Sequence, residues 1–372
     1  MTTVGRIVTI AWKELLHLRK DRVLIPFFML GAIGELTLLA WATGQPIDDI
    51  NMTVVDMDKS QQSAALIDVL DDTDTLTHDH TVGNVGAVYD LMDSNDTTFA
   101  VVIPEHYGED VIRGNHPTVR LILNGADTVS SLEAERVAQE VIFEQGMRDL
   151  FNLEPEDYAA DLPQVTVKYN EDLKRGWYTL PAEMGFMFYI MTIAIAALAI
   201  SRERERGTYE QLLVMPYRAY EVIIGKALTP MLAGFLLFLS MLGLTVFAFG
   251  VPFRGSLPLL LILALIYLMS EMGKGVLLSM SSRTQLQAVL LVFVVAMVDM
   301  VFSGYAVAVE TMPPVIRTLS NLIPIRHWLI IVRGIMLKDV GLDVLLPHIL
   351  ALVAIGVVII SFTATQYRRN VG

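Results

Sequence analysis

Long apolar runs alternate with polar ones along this chain, giving six membrane-length segments and one long polar insert. Residues 24 to 43 (LIPFFMLGAIGELTLLAWAT), 180 to 200 (LPAEMGFMFYIMTIAIAALAI), about 224 to 250, 257 to 280, 286 to 308 and 345 to 365 are predominantly apolar. A helix rises about 1.5 Å per residue and the hydrocarbon core of a bilayer is about 30 Å thick, so roughly 20 such residues cross it. Six transmembrane helices are therefore expected. Ahead of the first, Ile7, Ile10, Ala11 and Leu18 share one stripe, with Trp12 beside it and Lys13, Arg19 and Lys20 flanking. That pattern predicts an amphipathic interfacial helix over 6 to 18. Ala40 and Ala42 would suit signal cleavage, but an n-region of 22 residues through Arg22 and an apolar stretch of 20 are long for a signal peptide. The segment is read as a retained span.

Between 45 and 175 the periodicity shortens. MTVVDMD (52 to 58), TFAVVIP (98 to 104), TVRLILNG (118 to 125) and QVTVKYN (164 to 170) read as strands. SQQSAALIDVL, GNVGAVYDLMDS, EHYGEDVIRG and SSLEAERVAQEVIFEQGMRDLF read as helices, several opened by a capping side chain. The expected fold is an α-helical integral membrane protein with six transmembrane helices and an inserted α/β extracytoplasmic domain. Asp127 and Ser130 follow a strand, where they are read as a turn. His78, His80, His106 and His116 are read as loop residues, and no metal is expected, because no carboxylate stands at a recurring ligand spacing.

Composition sharpens the division. The chain has 372 residues, 53% hydrophobic and only 18% charged, yet its net charge is -13; its mean hydropathy is +0.52. Residues 45 to 175 hold 27 acids against 8 bases, leaving 13 acids and 19 bases elsewhere. An acidic polar domain is thus set into a basic-flanked apolar chain, which argues against nucleic acid as a partner. With no cysteine, the insert has no disulfide or Cys-ligated metal to hold it.

Short flanks rich in Lys and Arg mark the cytoplasmic side. Arg6, Lys13, Arg19, Lys20 and Arg22 precede the first span, Arg202, Arg204 and Arg206 follow the second, Arg283 lies between the fourth and fifth, and Arg368 and Arg369 close the chain. Six spans place all of these on one side, with both termini cytoplasmic. The stretch from 309 to 338 disagrees, carrying Arg317, Arg326, Arg333 and Lys338 on the opposite side. It is read as short helices re-entering the outer leaflet, where non-spanning backbone buried in protein is tolerated.

Catalytic chemistry is not encoded in any recognisable pattern. Gly225-Lys226 is followed by Ala227 and preceded at the required offset by Tyr220, while Gly273-Lys274 is followed by Gly275 and preceded by Leu268, so neither is a phosphate loop. No nucleophile elbow or zinc-protease motif occurs. The chain is expected not to be an enzyme by itself. The informative stretch is SRERERGTYEQLLVMPYRAYEVIIGK, residues 201 to 226. Gly207 ends one helix, Thr208 with Gln211 forms a capping box for the next, and Pro216 stops it two turns later. A short capped helix held between two spans, presenting Tyr209, Leu212 and Leu213 beside Glu205, Arg206 and Glu210, could transmit motion from a soluble partner.

These features resemble the permease subunits of type-2 ATP-binding-cassette exporters, specifically the bacterial multidrug-export-like group with a large domain after the first span. The residues that carry the resemblance are RERERGTYEQLLVMP, the amino-terminal WKELLHLRKDR, VVDMDKSQQS, FAVVIPEHYGEDVIRG, VRLILNGAD, SSRTQLQA and the run from FSGYAVAVE to IMLKDVGL. They cover nearly the whole chain. The resemblance implies a cytoplasmic helix at 1 to 23, a first span at 24 to 43, an extracytoplasmic domain at 44 to 178, and a five-helix membrane domain at 179 to 372. It implies that about 202 to 217 form a coupling helix docking on the ATPase, with contact roles for Glu203, Glu205, Gly207, Thr208, Glu210, Gln211, Leu212, Leu213 and Pro216. About 309 to 338 would be the family's re-entrant outer helices. Implied partners are an ATPase subunit that supplies ATP and magnesium, a second permease subunit, identical or paralogous, membrane lipids and a periplasmic adaptor. No cofactor is expected in this chain.

The chain departs from the resemblance at Pro181-Ala182-Glu183, where the family usually has Pro-Gly. It also carries Glu35, Glu271, Lys274 and Asp299 inside apolar segments. Charges at membrane depth cost a few kcal/mol and generally face the bundle interior or water. Glu271 and Lys274 are three apart and neutralise each other on one helical face. Glu35 and Asp299 lack a sequence-local partner and are expected to line a path for cationic or amphipathic substrates. The leading expectation is an exporter permease moving a drug-like, amphipathic or lipid-like substrate outward. The alternative is a membrane-anchored sensing module whose ligand sits in the acidic domain; an intramembrane enzyme finds no paired motif.

Overall fold

The computed structural model describes residues 2–151, 153, 168–208 and 218–371. It divides into two compact units, residues 45–166 and the remainder.

The smaller unit is a four-stranded α/β sheet. Its elements run β1 (Ile50–Asp56), α3 (Gln61–Asp71), β2 (Leu76–Thr81), α4 (Val85–Asp93), β3 (Phe99–Ile103), α5 (Tyr107–Ile112), β4 (Arg120–Leu123) and α6 (Thr128–Phe151). The strand order is β2-β1-β3-β4, with β1 parallel to β2 and β3, and β4 antiparallel to β3. Ser60 and Asn84 cap α3 and α4 as their positions predict, each accepting a backbone N–H three residues on. Strand β3 is buried at every position, as a central strand covered on both faces should be. One strand departs from expectation: His78 and His80 lie not in a loop but in LTHDHT, which forms β2 at the sheet edge. The Nε2 of His78 there lies 2.9 Å from the hydroxyl of Thr81. The reason is that β1 offers it a parallel ladder, which compensates for its polar composition. The strand expected at 164 to 170 lies mostly outside the described residues.

The larger unit is helical. It comprises α1 (Thr3–Lys20), α2 (Leu24–Gly44), α7 (Arg175–Glu205), α8 (Ala219–Gly243), α9 (Leu257–Ser281), α10 (Gln285–Phe302), α11 (Pro314–Ser320), α12 (Pro324–Lys338) and α13 (Leu342–Val371). A π-helical turn, Leu244–Ala248, prolongs α8. Among the described residues six helices are long and apolar enough to cross a membrane. Helix α7 is the central one: it is buried almost continuously from Leu180 to Ser201 and packs against α2, α8, α9, α10 and α12. Its approach to α9 depends on Gly275, where a Cβ would stand 2.6 Å from that of Ala196 and 2.8 Å from the Ile193 carbonyl oxygen. Small residues let helix backbones touch in this way, where apolar burial alone gives little preference for one packing.

Helices α11 and α12 meet at 77°, each started by a proline in its first turn, a position that needs no N–H. Trp328 of α12 is fully buried and stacks on Tyr267 at 5.2 Å, with Phe188 edge-on to both. The fifth span is shorter than the expected 286 to 308. It ends at Phe302 because Gly304 takes a left-handed conformation, φ 86°.

Candidate functional site

At one end of the helical unit the chain leaves α7 and returns into α8, enclosing the segment predicted to couple. Gly207 adopts φ 71°; its N–H donates to the Arg204 carbonyl at 3.1 Å and that of Thr208 to the Glu203 carbonyl at 2.9 Å. This pair of bonds is a Schellman ending, which requires a left-handed residue and so explains the glycine. Glu210, Gln211, Leu212, Leu213 and Pro216 lie outside the described residues, as does Tyr209.

What the sequence does not disclose is how firmly the base of this segment is held. Glu203 is buried and faces inward. Its carboxylate accepts from Lys13 at 2.8 Å and from the Thr208 hydroxyl, and lies 3.5 Å from Lys226. Lys226, also buried, donates to Glu14 at 2.5 Å and to the Ala199 carbonyl at 2.9 Å. Thr229 donates to the Ala11 carbonyl at 3.1 Å. Helix α1 is thereby locked across the end of α7 and the start of α8, not left lying alone at an interface. Further pairs extend the clamp: Arg202 with Asp21 at 3.6 Å and Arg6 with Glu221 at 3.5 Å. Glu205 accepts from both the backbone and side-chain nitrogens of Gln285, tying α7 to α10. Burial, opposed by the Glu14 carboxylate, holds His17 below the usual imidazole value, so it is neutral near pH 7.

Between the helices lies a second polar cluster. Lys274 Nζ sits 2.6 Å from Glu271 and 2.6 Å from Asp299, and 5.1 Å from the ring centre of Tyr189. Tyr189 donates its hydroxyl to Asp299 at 2.7 Å. The Glu271–Lys274 contact follows from their spacing. Asp299, without a sequence-local partner, finds one in the fold: one lysine serves two carboxylates, across a sequence gap of 25 residues that no local rule spans. Glu35 stands apart, exposed on α2.

Sequence reasoning missed Glu183, noted only as a departure from Pro-Gly. It is 1% exposed on α7, accepts from the Tyr305 hydroxyl and leaves Oε1 without a partner. A carboxyl group so early in the longest span was a readable signal. Among the described residues no group of three or more acids and histidines converges as a metal site would require.

Among the described residues, six helices of membrane-spanning length with buried ion-paired clusters between them and at one end define a multi-pass membrane protein. The family model described as ABC-2 family transporter protein matches residues 23–365, and the chain belongs to that family. It is 27% identical over 366 residues to the probable multidrug ABC transporter permease YbhR of Escherichia coli, covering 98% of this chain and 99% of the relative. It is 23% identical over 384 residues to the inner membrane transport permease YhhJ of the same organism, covering 100% and 99%. A third relative, ABC transporter G family member 23 of Dictyostelium discoideum, is 20% identical over 335 residues; the match covers 89% of this chain and 48% of that protein.

Proposed function

We propose that this permease is the membrane half of an exporter powered by a separate ATPase subunit, which binds ATP with magnesium. The supporting observation is the ion-paired clamp around residues 209–217. Buried Lys226 and Glu203 join α1, α7 and α8 where that segment begins and ends. Breaking such pairs is costly, so a push on the segment is passed to both spans instead of being absorbed by a loose loop. Glu205, Gly207, Thr208, Glu210, Gln211, Leu212, Leu213 and Pro216 form or orient the docking surface, and Glu203 anchors it from behind. Two permease copies, or one and a paralogue, pair with two ATPases. Both termini are cytoplasmic, and the acidic α/β unit is extracytoplasmic, able to hand substrate to a periplasmic adaptor. The substrate is drug-like, amphipathic or lipid-like, in keeping with the multidrug name of the relative YbhR. Its path includes the neighbourhood of Glu35 and of the Glu271, Lys274 and Asp299 cluster.

The test is affinity capture of the tagged full chain in detergent, wild type against Glu210→Lys/Leu213→Asp, with mass spectrometry of co-purifying proteins. An ATPase retained by the wild type and lost from the double variant is the expected result. Folded protein that captures no ATPase overturns the reading and favours a sensing role for the acidic unit.

A further inference from the structure

Beside the clamp, the ends of α1 and α7 form a cavity of about 410 Å³ lined by His17, Lys20, Asp21, Arg202 and Arg206. Three of these side chains are cations and one is an anion. Asp21 cannot balance them: its Oδ2 lies 3.6 Å from Arg202, while its Oδ1 accepts the backbone N–H groups of Val23 and Leu24 at 3.3 and 3.0 Å. The Arg202 side chain is only 14% exposed, and its Nε donates to Gln285 at 3.3 Å. Lys20 and Arg206 are exposed, and among the described residues neither side chain forms an ion pair. His17, neutral near pH 7, adds a hydrogen-bonding ring without adding charge. The neighbouring clamp differs, for there Glu203 and Glu14 answer Lys13 and Lys226 one for one. The cavity keeps a surplus of two positive charges, and a concave, low-dielectric wall strengthens their attraction for an anion.

The position of the cavity selects the anion. Lys20 ends the amphipathic α1 and Leu24 opens the apolar run of α2, so Asp21 stands where the chain passes from the interface into hydrocarbon. An exposed apolar stripe begins there with Val23 and continues through Phe27 and Leu30, a spacing that keeps all three on one helical face. Charged walls beside an exposed apolar stripe suit a molecule with an anionic head and hydrocarbon chains. Phosphate oxygens match the planar fork of Arg and the point charge of Lys, and basic pockets between membrane helices take lipid headgroups of this kind. We propose that the cavity binds the phosphate of an anionic phospholipid, with Arg202 at its base, Lys20 and Arg206 at its mouth, and the acyl chains along the α2 stripe. The site goes beyond the exporter reading and does not rest on it, since lipid binding needs no ATPase.

The experiment is native mass spectrometry of the purified full chain in detergent, titrated with phosphatidylglycerol or with zwitterionic phosphatidylcholine of the same acyl chains. The wild type should retain one phosphatidylglycerol about tenfold or more tightly than phosphatidylcholine. Lys20→Gln/Arg206→Gln alters two exposed positions outside the clamp and should abolish that preference. Arg283→Gln, an exposed base at the same end that does not line the cavity, should keep it. Equal affinity for the two lipids, or a preference that survives the double variant, overturns the site. A preference lost in Arg283→Gln as well also overturns it, by assigning the binding to diffuse surface charge. Excess inorganic phosphate separates the two sources of the oxyanion. Phosphatidylglycerol should stay bound; its displacement by phosphate overturns the lipid assignment in favour of a soluble ligand.

Discussion

Lys226 Nζ lies 2.5 Å from Glu14 Oε1, which joins α8 to α1 across 212 residues of chain at a point where the lysine side chain is only 3% exposed. An amphipathic helix could be held at a bilayer surface by its apolar stripe alone. Here a buried ion pair fixes its position against the helices that flank residues 209–217.

Removing the lysine should therefore do more than remove one contact. Lys226→Met leaves Glu14 without this partner and Glu203 with Lys13 as its remaining cation beside the Thr208 hydroxyl, and should cost about 3 kcal/mol or more. Glu14→Gln should cost less, since Lys226 keeps Glu203 and the Ala199 carbonyl. Thermal melting in detergent gives the ranking. Hydrogen exchange should show α1 loosening first; equal melting of Lys226→Met and wild type would contradict the clamp.

Packing of α7 on α9 predicts a contrast between two glycines. Gly275→Ala places a methyl against Ala196 and the Ile193 carbonyl, and should destabilise by about 1–3 kcal/mol through overpacking. Gly31→Ala on α2 has open space around it and should be neutral or stabilising by up to about 1 kcal/mol through helix propensity. Melting temperatures of the two variants, measured side by side, check this.

The Lys274 cluster predicts an order of severity. Lys274→Met strands two carboxylates in the bundle, and a loss of about 3–5 kcal/mol is expected. Asp299→Asn removes one ion pair and alters the Tyr189 hydrogen bond, but leaves Lys274 with Glu271. Glu271→Gln should be mildest: it keeps the Lys274–Asp299 pair and loses about 1–2 kcal/mol at most. Monodisperse yield on size-exclusion chromatography, followed by melting, reads the order; a Glu271→Gln protein worse than Lys274→Met would refute it.

In the α/β unit, Asp58 sits between the ends of β1 and β3. A hydrogen bond from Ser60, then backbone bonds from Gly108 and His106, hold its carboxyl below the usual 3.8 against partial desolvation. The folded value is depressed, so the stabilisation is complete above the unfolded pKa and disappears as pH falls through the folded one. Asp58→Asn should thus speed hydrogen exchange in β1 and β3 near neutral pH. Once rates are corrected for intrinsic exchange, the difference from wild type should shrink as pH falls through the depressed folded value.

Several features were legible in the chain because they are local. Span lengths follow from apolar run length, α1 from the 3.6-residue stripe through Ile10 and Leu18, and the end of α7 from a glycine able to take positive φ. The α/β character of the insert was readable from alternation and capping residues. Strand β2 was not, because LTHDHT is polar and becomes a strand only through the ladder that β1 offers.

The candidate sites divide in the same way. The sequence alone determined that the apolar helices carry charges they must conceal, and that Glu271 and Lys274 share a face. Only the tertiary structure decided which helices meet. It paired Asp299 with Lys274 and Tyr189, turned Glu203 inward to Lys13 and Lys226, and enclosed Glu183 beside Tyr305. Periodicity specifies the face a residue occupies on its own helix. Which partner covers that face depends on close approach between distant segments, set by residues such as Gly275 and Trp328 whose effect appears only when the helices pack.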